Sequence, residues 1–371
     1  MKAPLGRLFT FFILLFAFSV SLAEETPAPK EETPLTEQEA MKAEINEVIP
    51  HHLQDSHFYN ILADKEHNTY IGFPLPVILI DNGLVMFCSS EFGHGEKLVE
   101  RNGNFYKLYH SKIYKTDSQG TINYDEKHHP TNEKPLDFSI TKNVANIILT
   151  GLIMLLLFGG MAKRYRKSLV PSGLGRFLEP IILYVKDDIA IPNIGEKHYQ
   201  RFMSFLLTIF FFIWILNILG ISPLAANVTG NITVTAALAL ITFIITTVSG
   251  KKTYWSHIFN PLGSTMPWYA KIPLYILLIP IEILGIFIKP FSLMIRLFAN
   301  ITAGHIVMMS LIGMIFLFKS WYGGTLSFGL SFAIFLIEFF VALLQAYIFT
   351  MLSALYFGFA VEEHHDTEEA H

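Results

Sequence analysis

Cysteine is nearly absent: Cys88 is the only one in 371 residues, so no disulfide forms within the chain. Charge is scarce as well. Only 16% of the residues are Asp, Glu, Lys or Arg, the net charge is -4, and no long basic run occurs, which speaks against nucleic acid as a partner. The motifs of soluble catalysis are missing. There is no Gly-x-x-x-x-Gly-Lys-Ser/Thr loop, no His-Glu-x-x-His and no Gly-x-Ser-x-Gly. No catalytic site and no cofactor is expected on this chain, and any coupled nucleotide chemistry belongs to another subunit. What the chain has in excess is apolar residues, 52% of the total, which is the composition of an all-α polytopic membrane protein.

Residues 1–23 read as a signal peptide: Lys2 and Arg7, an apolar core from Leu8 to Val20, and a small-residue site at Ser21-Leu22-Ala23. An uncleaved first span is the alternative. Residues 24–140 then form an exported extension. It starts as a linker rich in Glu, Thr, Pro and Ala and continues as a small β-containing segment. There, Val77–Ile80, the turn Asp81-Asn82-Gly83 and Leu84–Phe87 predict a hairpin, and Ser111–Tyr124 a second one. Eight histidines (His51, His52, His57, His67, His94, His110, His128 and His129) fall in this region. Their irregular spacing favours solvated side chains over a metal site.

Residues 141–360 predict five transmembrane helices. The first runs from near Val144 to Ala162 and is followed by Lys163, Arg164, Arg166 and Lys167, which mark the cytoplasmic side. The second spans about 202–221 and the third about 234–249, with Lys251 and Lys252 inside again. The stretch 272–318 is about 47 residues, roughly 70 Å as helix, against a hydrocarbon core of ~30 Å. It is either two spans or one strongly tilted helix. With the run 328–359, which is also long for a perpendicular helix, the reading adopted is a tilted helical hairpin. The tail 361–371 is acidic and expected in the cytoplasm.

Polar residues interrupt this apolar region. Glu282, Lys289 and Arg296 are seven apart and share one helical stripe, with Asn300 one turn beyond. Gly285, Ser292 and Ala299 form a neighbouring stripe of small residues, where another helix can approach. Arg296 cannot shed its proton and is costly at bilayer depth, so it calls for an acidic partner. His305 lies nine residues on, close to 180° away, and faces the following helix with Glu338 and Gln345. His and Glu side chains together suit a proton relay. The milder readings stay open: Lys289 snorkels, Glu282 pairs with Lys289, Asn300 and Gln345 are interhelical hydrogen-bond glue, and His305 with Glu338 is a structural pair. Asn217, Asn231, Thr233 and Thr235 either line a wet vestibule or cap helices.

The run Lys289-Pro290-Phe291-Ser292 through Arg296-Leu297-Phe298-Ala299-Asn300 and Ala303-Gly304-His305 resembles the a subunit of the F-type ATP synthase membrane sector. The likeness extends to Asn217-Ile218-Leu219-Gly220 and Leu344-Gln345-Ala346, and covers roughly residues 140–360. It implies a proton-translocating stator subunit in a bacterial inner membrane, N-terminus exported and C-terminus cytoplasmic. It also implies two aqueous half-channels, with Arg296 as the essential arginine against the carboxylates of a c-subunit ring. Asn300 and Gln345 would be its polar neighbours, His305 and Glu338 the half-channel pair, and Asn217 a channel asparagine. Glu282 is a candidate for proton transfer from its place on the Arg296 stripe alone. His305 and Glu338 stand in the order of mitochondrial members, exchanged relative to many bacterial ones. Gly220 stands where some members carry an aspartate. The implied partners are the c ring, the b-subunit peripheral stalk, the remaining ATP synthase subunits, lipid and H+. A stand-alone secondary transporter or channel using the same polar groups is the alternative.

Overall fold

The computed structural model of the chain describes residues 54–64, 69–126, 129–167, 173–222, 227–260, 268–317 and 321–362. The expected signal peptide, the linker, His51, His52, His67, His128 and the tail from residue 363 lie outside the described residues.

The strand-rich segment comes first. Strands β1 (Phe58–Asp64) and β2 (Thr69–Pro74) pair antiparallel. β3 (Pro76–Ile80) lies between β4 (Leu84–Cys88) and β8 (Leu136–Asp137). β5 (Val99–Arg101), β6 (Asn104–Tyr109) and β7 (Lys112–Thr116) make a third small sheet. The hairpin at Asp81-Asn82-Gly83 forms as read, with Ile80 opposite Leu84. The second hairpin does not run from Ser111 to Tyr124. It pairs Asn104–Tyr109 with Lys112–Thr116 around His110-Ser111, both at positive φ, while Tyr124 makes only an isolated bridge to Pro130. His-Ser is not the Asn-Gly or Asp-Gly pair that usually signals such a turn, so the sequence pattern does not mark this strand boundary. Asn102-Gly103 is such a pair, and it turns β5 into β6.

Val77, Leu79, Val85, Phe87, Phe92, Val99, Tyr106 and Ile113 form the core between these sheets. Asp81 at the hairpin turn ties them together. Its carboxylate accepts hydrogen bonds from Tyr106 Oη (2.9 Å) and Asn104 Nδ2 (3.0 Å) and pairs with Lys115 Nζ at 3.0 Å. The hydrogen bond from Lys115, then that from Tyr106, holds Asp81 below the usual carboxylate range. Burial, followed by the Asp81 contact, raises Tyr106. His57 corrects the expectation of solvated histidines: it is buried, and its Nε2 meets Asp137 Oδ2 at 2.7 Å. His110 and His129 are exposed as expected.

Eight α-helices follow among the described residues. α1 (Lys142–Tyr165) begins at an N-cap where Thr141 accepts from the Val144 N–H, and it ends with Lys163 and Arg164 in its last turn. α2 (Leu174–Tyr184) continues through a π-helical segment, Val185–Ala190, into α3 (Ile191–Ile194). α4 (Tyr199–Ile221) and α5 (Ile232–Ser249) are the second and third spans, and α6 (Lys252–Phe259) is a short connector. α7 (Trp268–Leu317) is a single helix of 50 residues, so the two-span alternative falls, and α8 (Trp321–Val361) has 41. At about 75 Å and 60 Å, both exceed a hydrocarbon core of ~30 Å. Among the described residues, five helices are long and apolar enough to cross a membrane.

The membrane core forms where α4, α7 and α8 meet the π segment: Val185, Ile189, Leu206, Phe210 and Ile213 pack with Leu293, Leu297, Ala346, Phe349 and Phe357. Small residues on α8 allow the close approach. At Gly358 a Cβ would overlap the Asn193 carbonyl oxygen, so only glycine lets α3 lie against α8 there.

Candidate functional site

Arg296 lies on α7 with its side chain exposed, and Asn300 one turn later shares that open surface. Among the described residues, no carboxylate pairs with the guanidinium and no hydrogen bond holds it. Exposed Phe291 and Ile295 flank it. Arg296 is therefore a permanent cation set beside exposed apolar side chains.

Nine residues on, His305 is buried. The adjoining turn explains how α8 meets it. A Cβ built on Gly304 would stand 2.5 Å from Glu338 Oε1 and 3.2 Å from its Cγ, so the absent side chain is what houses the carboxyl group. Glu338 is itself buried, as is Gln345, and Ser331 extends the same seven-residue stripe on α8. Ser331 is a further candidate for this site, which its spacing from Glu338 could have revealed.

Several buried polar atoms here have no hydrogen-bond partner among the described residues: Asn217 Nδ2, Thr302 Oγ1, Ser331 Oγ and Glu338 Oε2. Orphans of this kind need water or a transient partner, because leaving them dry is costly. Asn217 is anchored on its other side, accepting from Thr229 Oγ1 at 2.7 Å. Asn231 caps α5 by accepting from the Thr233 N–H, and Thr235 donates to the backbone carbonyl of Ile232. These two serve the helix end.

A different cavity opens toward the start of α7. It holds about 390 Å³ and is lined by Glu282 and Lys289 of α7, Tyr254 and His257 of α6, and Phe359 and Glu362 at the end of α8. A narrower gap continues from Lys289 and Tyr254 to Thr246, Leu293 and Tyr356. Lys289 does not pair with Glu282. Its ammonium sits over the rings of Tyr356 (5.6 Å) and Phe359 (5.5 Å), a cation–π arrangement that leaves the Glu282 carboxylate facing the cavity. Arg296 thus lies between two polar regions. It is about 21 Å along α7 from Glu282 and about 14 Å from His305. No group of three metal-ligating side chains exists among the described residues.

Residues 144–358 match the family model for the ATP synthase A chain, and residues 48–138 match a domain of unknown function (DUF8433). The chain is 42% identical over 240 residues to ATP synthase subunit a of Chloroherpeton thalassium, covering 63% of this chain and 70% of that one. It is 45% identical over 239 residues to the same subunit of Myxococcus xanthus, covering 62% and 76%, and 44% over 245 residues to that of Chlorobium phaeobacteroides, covering 63% and 70%. The helical hairpin carrying Arg296, His305 and Glu338 lies inside the matched region, and the chain belongs to the ATP synthase subunit a family.

Proposed function

We propose that this chain is the proton-conducting stator subunit of a rotary F-type ATP synthase, in which the Arg296 face of α7 meets the carboxylates of a c-subunit ring. The observation that carries the reading is the exposed Arg296 guanidinium, which has no acidic partner among the described residues. In an apolar setting such a cation needs an anion, and a ring of passing carboxylates supplies one.

The two polar regions give the route. Protons enter from the exported side past Asn217, His305 and Glu338, with water bridging the orphaned polar atoms around them. They neutralise a ring carboxylate, which then turns into lipid. When the carboxylate comes round to Arg296, the cation favours its ionised form. The proton leaves through the cavity at Glu282 and His257 on the cytoplasmic side. Arg296, between the two regions, keeps protons from passing straight through. Each charge crossing releases ~2.3 kcal/mol per 100 mV. Asn300, on the same open face, and Gln345 orient the carboxylate during exchange. The b-subunit stalk would hold this stator against rotation.

Replacing Arg296 with alanine should abolish ATP-driven acidification of inverted membrane vesicles while the detached catalytic head still hydrolyses ATP. Normal pumping by Arg296→Ala would refute the reading. So would proton or solute flux by the purified chain in liposomes without a c ring.

A further inference from the structure

The strand-rich segment has an unusual second face. In β3, Val77 and Leu79 point into its core, and in β4 Val85 and Phe87 do the same. Residues of opposite parity are apolar too. Ile80, Leu84, Met86, Leu136 and Phe138 are each 44–65% exposed, with Pro76, Ile78, Cys88 and Ile140 between them. Cross-strand pairing makes this one surface: Ile78 faces Met86, Ile80 faces Leu84 and Leu136, and the Phe138 N–H donates to the Ile78 carbonyl. No polar side chain interrupts it. A sheet with one wetted face normally alternates apolar and polar residues, and near-continuous apolar strands are those covered on both faces.

The position of this sheet says what covers it. Its strand β8 leads within five residues into α1, whose Val144, Ile148, Leu149 and Leu152 are exposed and apolar, as a lipid-facing helix requires. The Lys142 N–H donates to the Ser56 carbonyl (2.8 Å) and the Asn143 N–H to the Asp55 side-chain Oδ1 (3.1 Å), and these bonds clamp the segment to the helix start. Tyr59 reaches lower, donating to Asn146 Oδ1 in the second turn of α1 (3.2 Å). Exposed Phe73 stacks on Tyr59 at 4.5 Å. This corner therefore lies at the depth of the outer turns of a membrane span, where aromatic side chains concentrate.

We infer that the exposed β4-β3-β8 face of the strand-rich segment is a lipid-binding surface that rests in the headgroup and upper acyl region of the leaflet at the start of α1. It extends the bilayer contact of α1 from a helix to a sheet. The inference does not depend on the proton pathway proposed above.

The test uses the assembled complex in nanodiscs, in a Cys88→Ser background, with a bimane fluorophore attached separately through Leu84→Cys, Met86→Cys and Leu136→Cys. Ser118→Cys, on an exposed turn, is the reference. Lipids bearing a nitroxide near the headgroup should quench the three sheet positions several-fold more than position 118, and aqueous iodide several-fold less. Iodide quenching equal to that at 118 would show an open surface and overturn the inference. Protection from both quenchers would show that a protein covers the face, and would overturn it equally. Three positions on two strands keep the result independent of the folding of any one variant.

Discussion

Replacing Gly304 with alanine tests how closely α7 and α8 are fitted around Glu338 and the proposed relay. A Cβ there would stand 2.5 Å from Glu338 Oε1, 3.2 Å from Cγ and 3.3 Å from Cδ. Ordinary contact begins near 3.5 Å, so the carboxyl must retreat by about 1 Å. The group that yields is the end of a flexible side chain, and the backbone helices need not part. Overpacking of this kind costs about 1–3 kcal/mol at the upper end, and rotation of the Glu338 side chain relieves part of it. The complex should therefore assemble at near-normal yield. Proton transfer should suffer, because a barrier increase of about 1.4 kcal/mol slows a step tenfold. ATP-driven acidification of inverted vesicles should fall about tenfold in Gly304→Ala and further in Gly304→Val. In a Glu338→Ala background Gly304→Ala should add little, since the two residues in contact share one effect. Parental pumping rates in both Gly304→Ala and Gly304→Val would refute the packing argument. Additive losses in the double variant would refute the assignment of Glu338 as the affected group.

Gly358→Ala brings a Cβ against the Asn193 backbone carbonyl, which cannot swing aside, so the complex should lose about 1–3 kcal/mol of stability and show a lower melting temperature in detergent. Thr229→Val leaves Asn217 Oδ1 buried without its donor, at a cost of about 1–3 kcal/mol, and should loosen amide exchange at the end of α4. The strand-rich segment should lose stability in acid. Asp81 is held below its ordinary value by Lys115 and Tyr106. For Asp137, burial pushes upward but is outweighed by the hydrogen bonds from His57 and Ser139, so it too lies low. A depressed carboxylate stabilises the fold fully above its unfolded value, about 3.9, and ceases to do so as pH falls through the lower folded value. Amide exchange in β3 to β7 should accelerate as pH drops below about 4, after correction for intrinsic rates, and Asp81→Asn should flatten that dependence.

Much of the helical part was legible because its signals are local. An apolar run of sufficient length becomes a span whatever surrounds it, and a seven-residue spacing places Glu282, Lys289 and Arg296 on one side of any helix. The Asp81-Asn82-Gly83 turn was readable for the same reason. The turn at His110-Ser111 was not, because neither residue advertises positive φ. His57 looked like one of many solvated histidines, since its partner Asp137 lies 80 residues away. The value of Gly304 and Gly358 was hidden because a glycine carries no pattern, and its purpose is the neighbour it admits.

The amino-acid order alone determined five membrane crossings, a cation stranded among apolar residues, and a histidine on the reverse side of its helix. These depend on composition, run length and helical repeat, quantities that act over a few turns. Tertiary structure alone decided that the 50-residue stretch stays one helix through three prolines, that Lys289 rests on aromatic rings and leaves Glu282 to a cavity, and that Glu338 fits into the space left at Gly304. Each is a contact between segments distant along the chain, and its energy exists only once those segments meet.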